Sequence, residues 1–295
     1  MPLRRAIAPL LPEVIPNERV VPGYGIITGV SGIYDEPELY ELACAYRDIG
    51  AEVSAILSWC GRHHDGPVGS VLELAAGPAE HARELARRGL RAAALDRSPA
   101  MCAYAAERAK AAGAELTVVE ADMRDFCVSS ADGFDLAITM LNSVCHLFTL
   151  DDLVRHLTAV RAQLAPGGLY IAELAHPADF FAPVPRTSSE WTTEAHGVRA
   201  EVRWGGRGDR INPLTQVTDE HMTITATAAD GTIRTVSDVV PNRFWTLTEF
   251  TAALALSNAG AGSGGFELAA TYGDFDETTA LDDPTAWRMI LVLRR

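Results

Sequence analysis

Cysteine is scarce in this sequence, and the cysteines present are not spaced as pairs. The five residues are odd in number and include no C-x-x-C motif, which argues against a disulfide framework and a zinc knuckle. No run approaches the roughly 20 apolar residues that a membrane span needs. Prolines interrupt the arginine-containing start MPLRRAIAPLLPEVIP, and no A-x-A site follows it, so we do not predict a signal peptide. These absences favour a cytoplasmic protein.

Positive charge is in the minority. Lys and Arg together number 25 against 39 Asp and Glu, which leaves a net charge of −14. An acidic surface argues against nucleic acid or an anionic membrane as a partner and leaves room for a small-molecule substrate. The length of 295 residues and the 48% hydrophobic content predict a sizeable core in one large domain or two small ones.

Two short motifs suggest metal or phosphate binding but have the wrong context. His63-His64 lies in a Gly/Asp/Pro linker without a third ligand nearby, so no metal site is predicted. The run AGAGSGG at 259–265 follows a predicted helix and precedes a strand, which is the reverse of the order in a P-loop. We interpret it as a helix stop followed by a loop.

The most informative stretch is VLELAAGPAEHARELARRG at 71–89. Val71–Leu74 is predicted as a buried strand, and a helix is predicted over Ala79–Arg88 with Gly89 as its C-cap. Gly77-Pro78 turns the chain between them, with Pro78 expected at the first helical position. Such a turn directs free backbone N–H groups and a helix N-terminus toward a ligand.

Further strands follow at regular spacing and alternate with helices. They are predicted at Arg91–Leu95, Thr117–Glu120, Phe134–Met140 and Leu169–Leu174. Asp96 and Asp122 stand at or near the carboxyl ends of two of them, where open α/β sheets bind ligands.

Near residue 181 the periodicity changes from helical to alternating. Alternating segments are predicted as antiparallel strands at Val198–Trp204, Val217–Ala226 and Thr232–Val240. A helix over Thr246–Asn258 and closing strands at Phe266–Tyr272 and Trp287–Leu293 complete the pattern. We therefore predict an N-terminal arm and helical cap (1–65), an α/β core (66–180 and 246–295) and an antiparallel β insertion over the site (181–245).

The ligand of the Gly77 turn has two interpretations. A dinucleotide site favours G-x-G-x-x-G, whereas this turn, E-L-A-A-G-P-A, has one glycine. Asp96 suits a ribose in either case, and a carboxylate at Asp122 suits an adenine amino group. An NAD-type oxidoreductase therefore stays as one alternative.

At these residues the sequence resembles the class I S-adenosylmethionine-dependent methyltransferases over about 34–295. The resemblance implies a Rossmann-like seven-stranded α/β sheet, with the Gly turn facing the methionine part of the cofactor, Asp96 binding the ribose and Asp122-Met123 flanking the adenine. The cofactor-binding residues it implies are Glu73, Ala75, Gly77, Asp96, Arg97, Met101, Asp122, Met123, Met140 and Leu141. Ala75 and Ala79 replace glycines of many members, and alanine is tolerated there if φ stays negative.

A narrower resemblance is to the amino-sugar N,N-dimethyltransferases of macrolide pathways. It rests on LYEL (39–42), ADMRDF (121–126), MLNSVCHL (140–147) and the PGG turn. It implies that His146 lies near the methyl acceptor, where imidazole, which titrates near neutral pH, would serve as a base or orienting group. It also places a tyrosine at Tyr40. Further substrate-binding candidates, from their positions near the predicted site, are Tyr34, Asn142, Ser143 and His176. Trp191, Trp204, Phe244 and Trp245 are expected either in the core or as an apolar wall of the site.

The resulting prediction is a transferase that moves a methyl group from S-adenosylmethionine, leaving S-adenosylhomocysteine, to nitrogen or oxygen of a small molecule of secondary metabolism. The other alternative is a non-methylating S-adenosylmethionine-binding protein or cyclase. A homodimer in which residues 1–30 pack on a second subunit is compatible with the sequence.

Overall fold

The computed structural model describes residues 32–130, 132–181, 189–206, 208–259, 261 and 264–295. The arm predicted for residues 1–30 lies outside these residues. Within the described part, no helix has the length and apolar character needed to cross a membrane.

Helices and strands alternate through the first half of the described chain. The helices are α1 (Pro37–Ala43), α2 (Ile49–His63), α3 (Glu80–Arg87), α4 (Pro99–Ala111), α5 (Leu150–Gln163), α6 (Ala178–Phe181) and α7 (Leu247–Asn258). The strands are β1 (Ser70–Leu74), β2 (Arg91–Asp96), β3 (Leu116–Glu120), β4 (Phe134–Thr139), β5 (Leu164–Ala175), β6 (Ser189–Ala195), β7 (Val198–Trp204), β8 (Val217–Ala228), β9 (Ile233–Arg243), β10 (Glu267–Tyr272) and β11 (Arg288–Arg294). Short 3-10 helices lie at Ile33–Asp35 and Ser143–His146.

The main sheet has seven strands in the order β10-β11-β5-β4-β1-β2-β3. Strands β1 to β5 are parallel to one another, whereas β11 runs antiparallel between β5 and β10. Strand β1 is buried at all five positions because helices cover both faces of the sheet. The chain order reverses between the neighbouring strands β1 and β4, so a crevice opens there at the carboxyl ends of the parallel strands.

Three apolar clusters hold the fold together. One lies on the α5 and α7 side of the main sheet and includes Tyr170 and Phe250. A second lies on the α2 and α3 side and includes Trp59. The third lies between α1 and the antiparallel sheet β6-β7-β8-β9 and includes Leu39 and Ile224. This third cluster fixes the antiparallel sheet against the N-terminal helix beside the crevice.

The described elements confirm the predicted fold class and correct several details. The predicted helical cap within residues 1–65 contains two helices, because α1 ends at Ala43 and the Asp48 carboxylate caps the N-terminus of α2 by accepting from the Ala51 N–H at 2.9 Å. Strand β6 was not predicted: it is an edge strand in which only Thr193 is buried, so it lacks a clear apolar alternation. Strand β11 begins one residue after Trp287.

Candidate active site

A cavity of about 990 Å³ lies in the crevice at the carboxyl ends of the parallel strands. Its walls come from the segments after β1, β2, β3 and β4, together with α1, the 3-10 helix before it, and strands of the antiparallel sheet. The parallel strands therefore supply one half of the cavity and the N-terminal helices and antiparallel sheet supply the other.

The turn after β1 is more strained than the sequence suggested. Ala75, Gly77 and Ala79 all have positive φ, at 48°, 52° and 55°. The expectation that the two alanines keep negative φ is wrong, and each pays about 1–2 kcal/mol for the left-handed conformation. Ala79, and not Pro78, is the N-cap of α3, so the proline lies before the helix. The Ala79 methyl is fully buried in the cluster around α3, which offsets part of this strain.

Asp96 at the end of β2 is locked to this turn. Its carboxylate accepts the backbone N–H of Gly77 at 2.8 Å and the N–H of Ser98 at 2.8 Å. Burial raises the pKa of Asp96, and the backbone N–H groups and the charge of Arg97 oppose that rise. Each carboxylate oxygen keeps a further lone pair, so the group can accept from two neighbouring hydroxyls on the cavity side. This fits the ribose role that the resemblance assigned to Asp96.

Asp122 and Met123 follow β3 on the same wall. The Arg124 guanidinium binds Asp122 at 2.9 and 2.7 Å and Asp152 at 2.9 Å. The bonds from Arg124 lower the pKa of Asp122. Burial tends to raise the pKa of Asp152, but hydrogen bonds from Thr149 and Arg124 outweigh it and lower that pKa. Arg124 thus pairs with neighbouring carboxylates. Met123 is 8% exposed and supplies an apolar surface beside the half-buried Asp122 carboxylate.

The segment after β4 carries the residues predicted on the acceptor side. Leu141 and Asn142 have φ of 51° and 57°, and they lead into the 3-10 helix Ser143–His146. The Leu141 N–H donates to Glu173 at 2.8 Å, and the Asn142 Oδ1 accepts the Ala175 N–H at 3.0 Å. Both contacts tie the segment to the end of β5, so that Asn142, Ser143 and His146 all line the cavity.

His146 is hydrogen bonded to Tyr34, which comes from the 3-10 helix before α1. The Tyr34 hydroxyl and His146 Nε2 are 3.0 Å apart, and the two rings meet edge to face at 5.6 Å. The ring also contacts the carbonyl of Pro241. Since a carbonyl can only accept, Nδ1 carries the proton toward Pro241 and Nε2 accepts from the Tyr34 O–H.

The protonation of this pair differs from the sequence argument. Burial and the charge of Arg97 lower the pKa of His146 to about 4, whereas burial raises that of Tyr34 well above its ordinary value. The expectation that His146 titrates near neutral pH is therefore wrong. At pH 7 the site contains a neutral imidazole joined to a neutral phenol.

The antiparallel sheet supplies a wall that sequence reasoning identified only in part. Trp191 and Trp204 line the cavity and lie 6.3 Å apart with rings inclined by 29°. Asp238 and Asn242 also line it, although neither was predicted. The sequence pattern could have placed them together, because positions 238, 240 and 242 alternate along β9 and therefore share one face of the sheet.

The structure divides the predicted site residues into two groups. The cavity wall includes Tyr34, Tyr40, Ala75, Gly77, Asp96, Arg97, Met101, Asp122, Met123, Leu141, Asn142, Ser143 and His146. Glu73, Met140 and His176 do not line it. Met140 is 3% exposed within the core, and His176 Nε2 bonds the Leu281 carbonyl at 2.9 Å. Phe244 and Trp245 are buried as well, so only two of the four aromatic residues form a cavity wall.

Glu73 instead belongs to a buried network of charges beneath the turn. Its carboxylate accepts the Ala82 N–H at 2.7 Å and lies 3.5 Å from His81, which bonds Glu52 at 2.9 Å. Arg47 joins Glu52, at 2.6 Å, to Glu173, at 2.8 Å. Although burial opposes it, hydrogen bonding to the two glutamates raises the pKa of His81 to about 9, so it is protonated at neutral pH. The network therefore connects the Gly77 turn, the N-terminal helices and, through Glu173, the segment after β4.

Comparisons with known proteins agree with this geometry. Residues 71–168 match the family model described as a methyltransferase domain. The fold is that of DesVI from Streptomyces venezuelae, with a TM-score of 0.70 and 20% identity over 88% of this chain and 97% of that one. An S-adenosylmethionine-dependent methyltransferase from Clostridium acetobutylicum has a TM-score of 0.69 and 14% identity over 86% of this chain and 94% of that one.

Two similar structures are described as sugar-modifying enzymes. The sugar N-methyltransferase KedS8 from a Streptoalloteichus species has a TM-score of 0.65 and 21% identity over 95% of this chain and 100% of that one. CalS10 from Micromonospora echinaspora is an amino pentose methyltransferase bound to S-adenosylmethionine. Its TM-score is 0.63 and its sequence identity 22%, over 87% of this chain and 96% of that one. No curated protein sequence matches the chain significantly. These findings identify a methyltransferase domain at residues 71–168 and confirm the predicted fold class, and they agree with the predicted family, enzyme class and cofactor.

Proposed function

We propose that this chain, with its methyltransferase domain and the fold of S-adenosylmethionine-dependent methyltransferases, methylates an amino nitrogen of a small cationic molecule. The hydrogen-bonded pair Tyr34–His146 carries this proposal, because it faces the same cavity as Asp96 and Asp122. The cavity thus combines a wall suited to the nucleoside with groups that can handle a proton on the opposite side.

The wall assigned to the cofactor fits S-adenosylmethionine in its chemistry. Asp96 offers lone pairs to ribose hydroxyls, and Asp122 offers them to an adenine amino group. The apolar side chains of Met101 and Met123 suit the adenine faces. When bound, the cofactor supplies an electrophilic methyl group on a sulfonium.

The other wall suits an amine better than a hydroxyl group. The Asp238 carboxylate lines the cavity and accepts the backbone N–H of Ile33 at 2.8 Å, and within the described chain no Lys or Arg ion-pairs with it. A half-buried carboxylate of this kind attracts a substrate ammonium group. Trp204 and Tyr40, whose rings are 6.3 Å apart, add aromatic faces that favour a cation. The sugar substrates named for KedS8 and CalS10 make an amino group on a sugar-sized ring the first acceptor to test.

Tyr34 and His146 have a defined task in this reaction. An ammonium acceptor must lose a proton before its nitrogen lone pair can attack the methyl carbon, while the carbon–sulfur bond breaks and its electron pair passes to sulfur. The Tyr34 oxygen has lone pairs that can accept the acceptor N–H, while its own proton already points at His146 Nε2. We therefore assign Tyr34 as the group that takes the proton and His146 as the group to which Tyr34 passes its own proton. Because the pKa of His146 is low, the imidazole holds this proton only weakly and releases it to solvent after the methyl transfer.

The test is methyl transfer from labelled S-adenosylmethionine to a panel of amino sugars and to the matching sugars that carry hydroxyl in place of the amine. We expect a product heavier by one methyl group with the amines alone. Transfer only to hydroxyl acceptors would overturn the assignment to nitrogen. Binding of S-adenosylhomocysteine without transfer to any acceptor, under conditions in which an established methyltransferase works, would favour a non-methylating binder.

Tyr34→Phe separates proton handling from binding. We expect turnover to fall by about 100-fold, since general acid–base contributions are commonly 10²–10⁴-fold, while S-adenosylhomocysteine affinity stays within about threefold. Tyr104→Phe is the matched control, because that hydroxyl binds Glu41 at 2.6 Å and does not line this cavity. Equal turnover in the two variants would refute the role of Tyr34.

A further inference from the structure

Strand β8 carries a buried carboxylate on the face that points toward the active site. Glu220 is 6% exposed, and its neighbours on the same face, Thr218 and Met222, are also buried. It has no assigned part in the reaction, and a carboxylate is costly to bury unless its hydrogen bonds are satisfied. Its partners therefore indicate what it does.

Glu220 joins two residues that line the active-site cavity. Its carboxylate accepts the Asn242 Nδ2–H and a hydrogen bond from the Trp204 side chain. The strand register explains why one carboxylate reaches both. Asn242 on β9 is paired with Thr218, and Trp204 on β7 is paired with Met222, so the two lie on opposite sides of Glu220.

The chemistry of a carboxylate decides which way the Asn242 amide faces. Burial raises the pKa of Glu220 to about 7, so above neutral pH the ionised form, which can only accept, dominates. Asn242 must then turn its NH₂ toward Glu220, which leaves Oδ1 on the other side. There Oδ1 accepts from the Cys145 thiol at 3.0 Å. Asn242 and Cys145 both line the cavity. With its NH₂ held by Glu220, the Asn242 amide has only its oxygen, which keeps a second lone pair, to offer to a ligand there.

This oxygen lies close to the proton-handling pair. Cys145 directly precedes His146, and Pro241, whose carbonyl contacts the His146 ring, directly precedes Asn242. An acceptor molecule bound at Tyr34 and His146 would therefore occupy the cavity that Asn242 also lines. An amide oxygen accepts from an amine N–H, whereas an amide flipped by 180° would present N–H donors and repel an ammonium group.

We propose that Asn242, with its amide oriented by Glu220, is a specificity-determining residue that accepts a hydrogen bond from the amine of the methyl acceptor. The proposal rests on the proposed function for the identity of the acceptor, but not for the orientation of the amide. Glu220 acts through Asn242 and is a positioning residue.

Glu220→Gln tests the orientation, because the glutamine amide has its own N–H groups and no longer forces the Asn242 NH₂ toward it. With the best amine from the panel, we expect KM to rise about tenfold while kcat changes by less than threefold. Asn242→Leu should produce the same rise in KM and a lower preference for amine over hydroxyl acceptors. Asp219→Asn removes the same charge from the adjacent, exposed position of β8 and should leave KM unchanged. Thermal melting of each variant verifies folding, and Asn242→Leu decides if Glu220→Gln does not fold.

A second readout does not depend on turnover. Sinefungin carries an amine where S-adenosylmethionine carries the transferred methyl group, so it places an N–H donor toward the acceptor side. In Glu220→Gln or Asn242→Leu we expect its affinity relative to S-adenosylhomocysteine to fall about tenfold. If the wild-type protein transfers no methyl group but this ratio still falls, the proposed function fails and the orientation stands. If KM and the affinity ratio match the wild type in folded variants, the inference about Asn242 is overturned.

Discussion

Replacing Arg47 by methionine tests whether the buried charges beneath the cofactor turn hold the fold together. The Arg47 side chain is 2% exposed and binds Glu52 with both its Nε and its Nη2 atoms, at distances of 2.6 to 3.1 Å. It also binds Glu173 at 2.8 Å. Methionine keeps an unbranched apolar stem but is shorter and uncharged, so it leaves two buried carboxylates short of a cation.

The expected cost follows from that imbalance. Removing one partner of a buried ion pair commonly costs about 3–5 kcal/mol, mostly because the remaining charge is uncompensated. His81 still faces Glu52 and Arg288 still faces Glu173, at 2.9 and 3.1 Å, so the lower half of that range is expected. For a domain of this size about 3 kcal/mol corresponds to a fall in Tm of roughly 6–12 °C.

The assay is thermal unfolding followed by circular dichroism, with Arg62→Met as the control. Arg62 also pairs with a glutamate, Glu277, but its side chain is 50% exposed, so solvent screening limits its contribution to about 1 kcal/mol or less. A fall in Tm that is the same for the two variants would refute the reasoning. Because Glu173 also accepts the Leu141 N–H, Arg47→Met should weaken S-adenosylhomocysteine binding as well, by a few fold.

Three further predictions concern pH and the cofactor wall. Burial lowers the pKa of His156 from 6.5 to about 4, so on acidification the unfolded chain takes up a proton at this residue before the folded protein does. The neutral His156 therefore contributes up to about 3 kcal/mol to the free energy of unfolding above pH 6.5, and this contribution is lost as the pH falls toward 4. Urea unfolding at pH 7 and pH 5 measures this, and a His156→Gln variant with the same pH slope as the wild type would contradict it. Asp96→Asn should weaken S-adenosylhomocysteine binding by about 10- to 100-fold in calorimetric titration, because hydrogen bonds to a charged group are worth about 1.5–3 kcal/mol; unchanged affinity would remove Asp96 from the ribose site. In Gly77→Ala the new Cβ would lie 3.8 Å from Tyr40 and 3.9 Å from Met101, so only the positive φ is penalised, and we expect a loss of about 1 kcal/mol in unfolding free energy. A larger loss would show that the turn cannot relax around the methyl group.

The sequence predicted the parts of the site that lie on the parallel strands. Hydrophobic runs that end in Asp96 and Asp122 imply buried strands with carboxylates at one edge, and parallel strands place those edges side by side. The capping box of Thr149 and Asp152 at the start of α5 is equally local, because its contacts join residues three positions apart. Local spacing suffices wherever the partners are neighbours in the chain.

Backbone conformation in the turn was less accessible. The sequence E-L-A-A-G-P-A does not predict that both alanines adopt positive φ, because alanine favours negative φ. Contacts with other parts of the fold hold the turn in this conformation. They are the hydrogen bonds from the Gly77 N–H to Asp96 and from the Ala76 N–H to the Leu95 carbonyl, and the burial of the Ala79 methyl. Tertiary contacts also decide the orientation of Glu73. This residue belongs to the motif, but its carboxylate binds the Ala82 N–H and faces His81, away from the cavity.

The sequence by itself determined the alternation of strands and helices, the Gly77 turn, and the carboxylates Asp96 and Asp122 near the ends of their strands, since these depend on periodicity and on spacing within short segments. Only the tertiary structure decided the acceptor wall. Tyr34 meets His146 across 112 positions, and Asn242 meets Cys145 across 97. Likewise, the neutral state of His146 results from burial and from the charge of Arg97. Contacts between distant segments and the desolvation of a side chain arise only when the antiparallel sheet packs against α1 and closes the crevice.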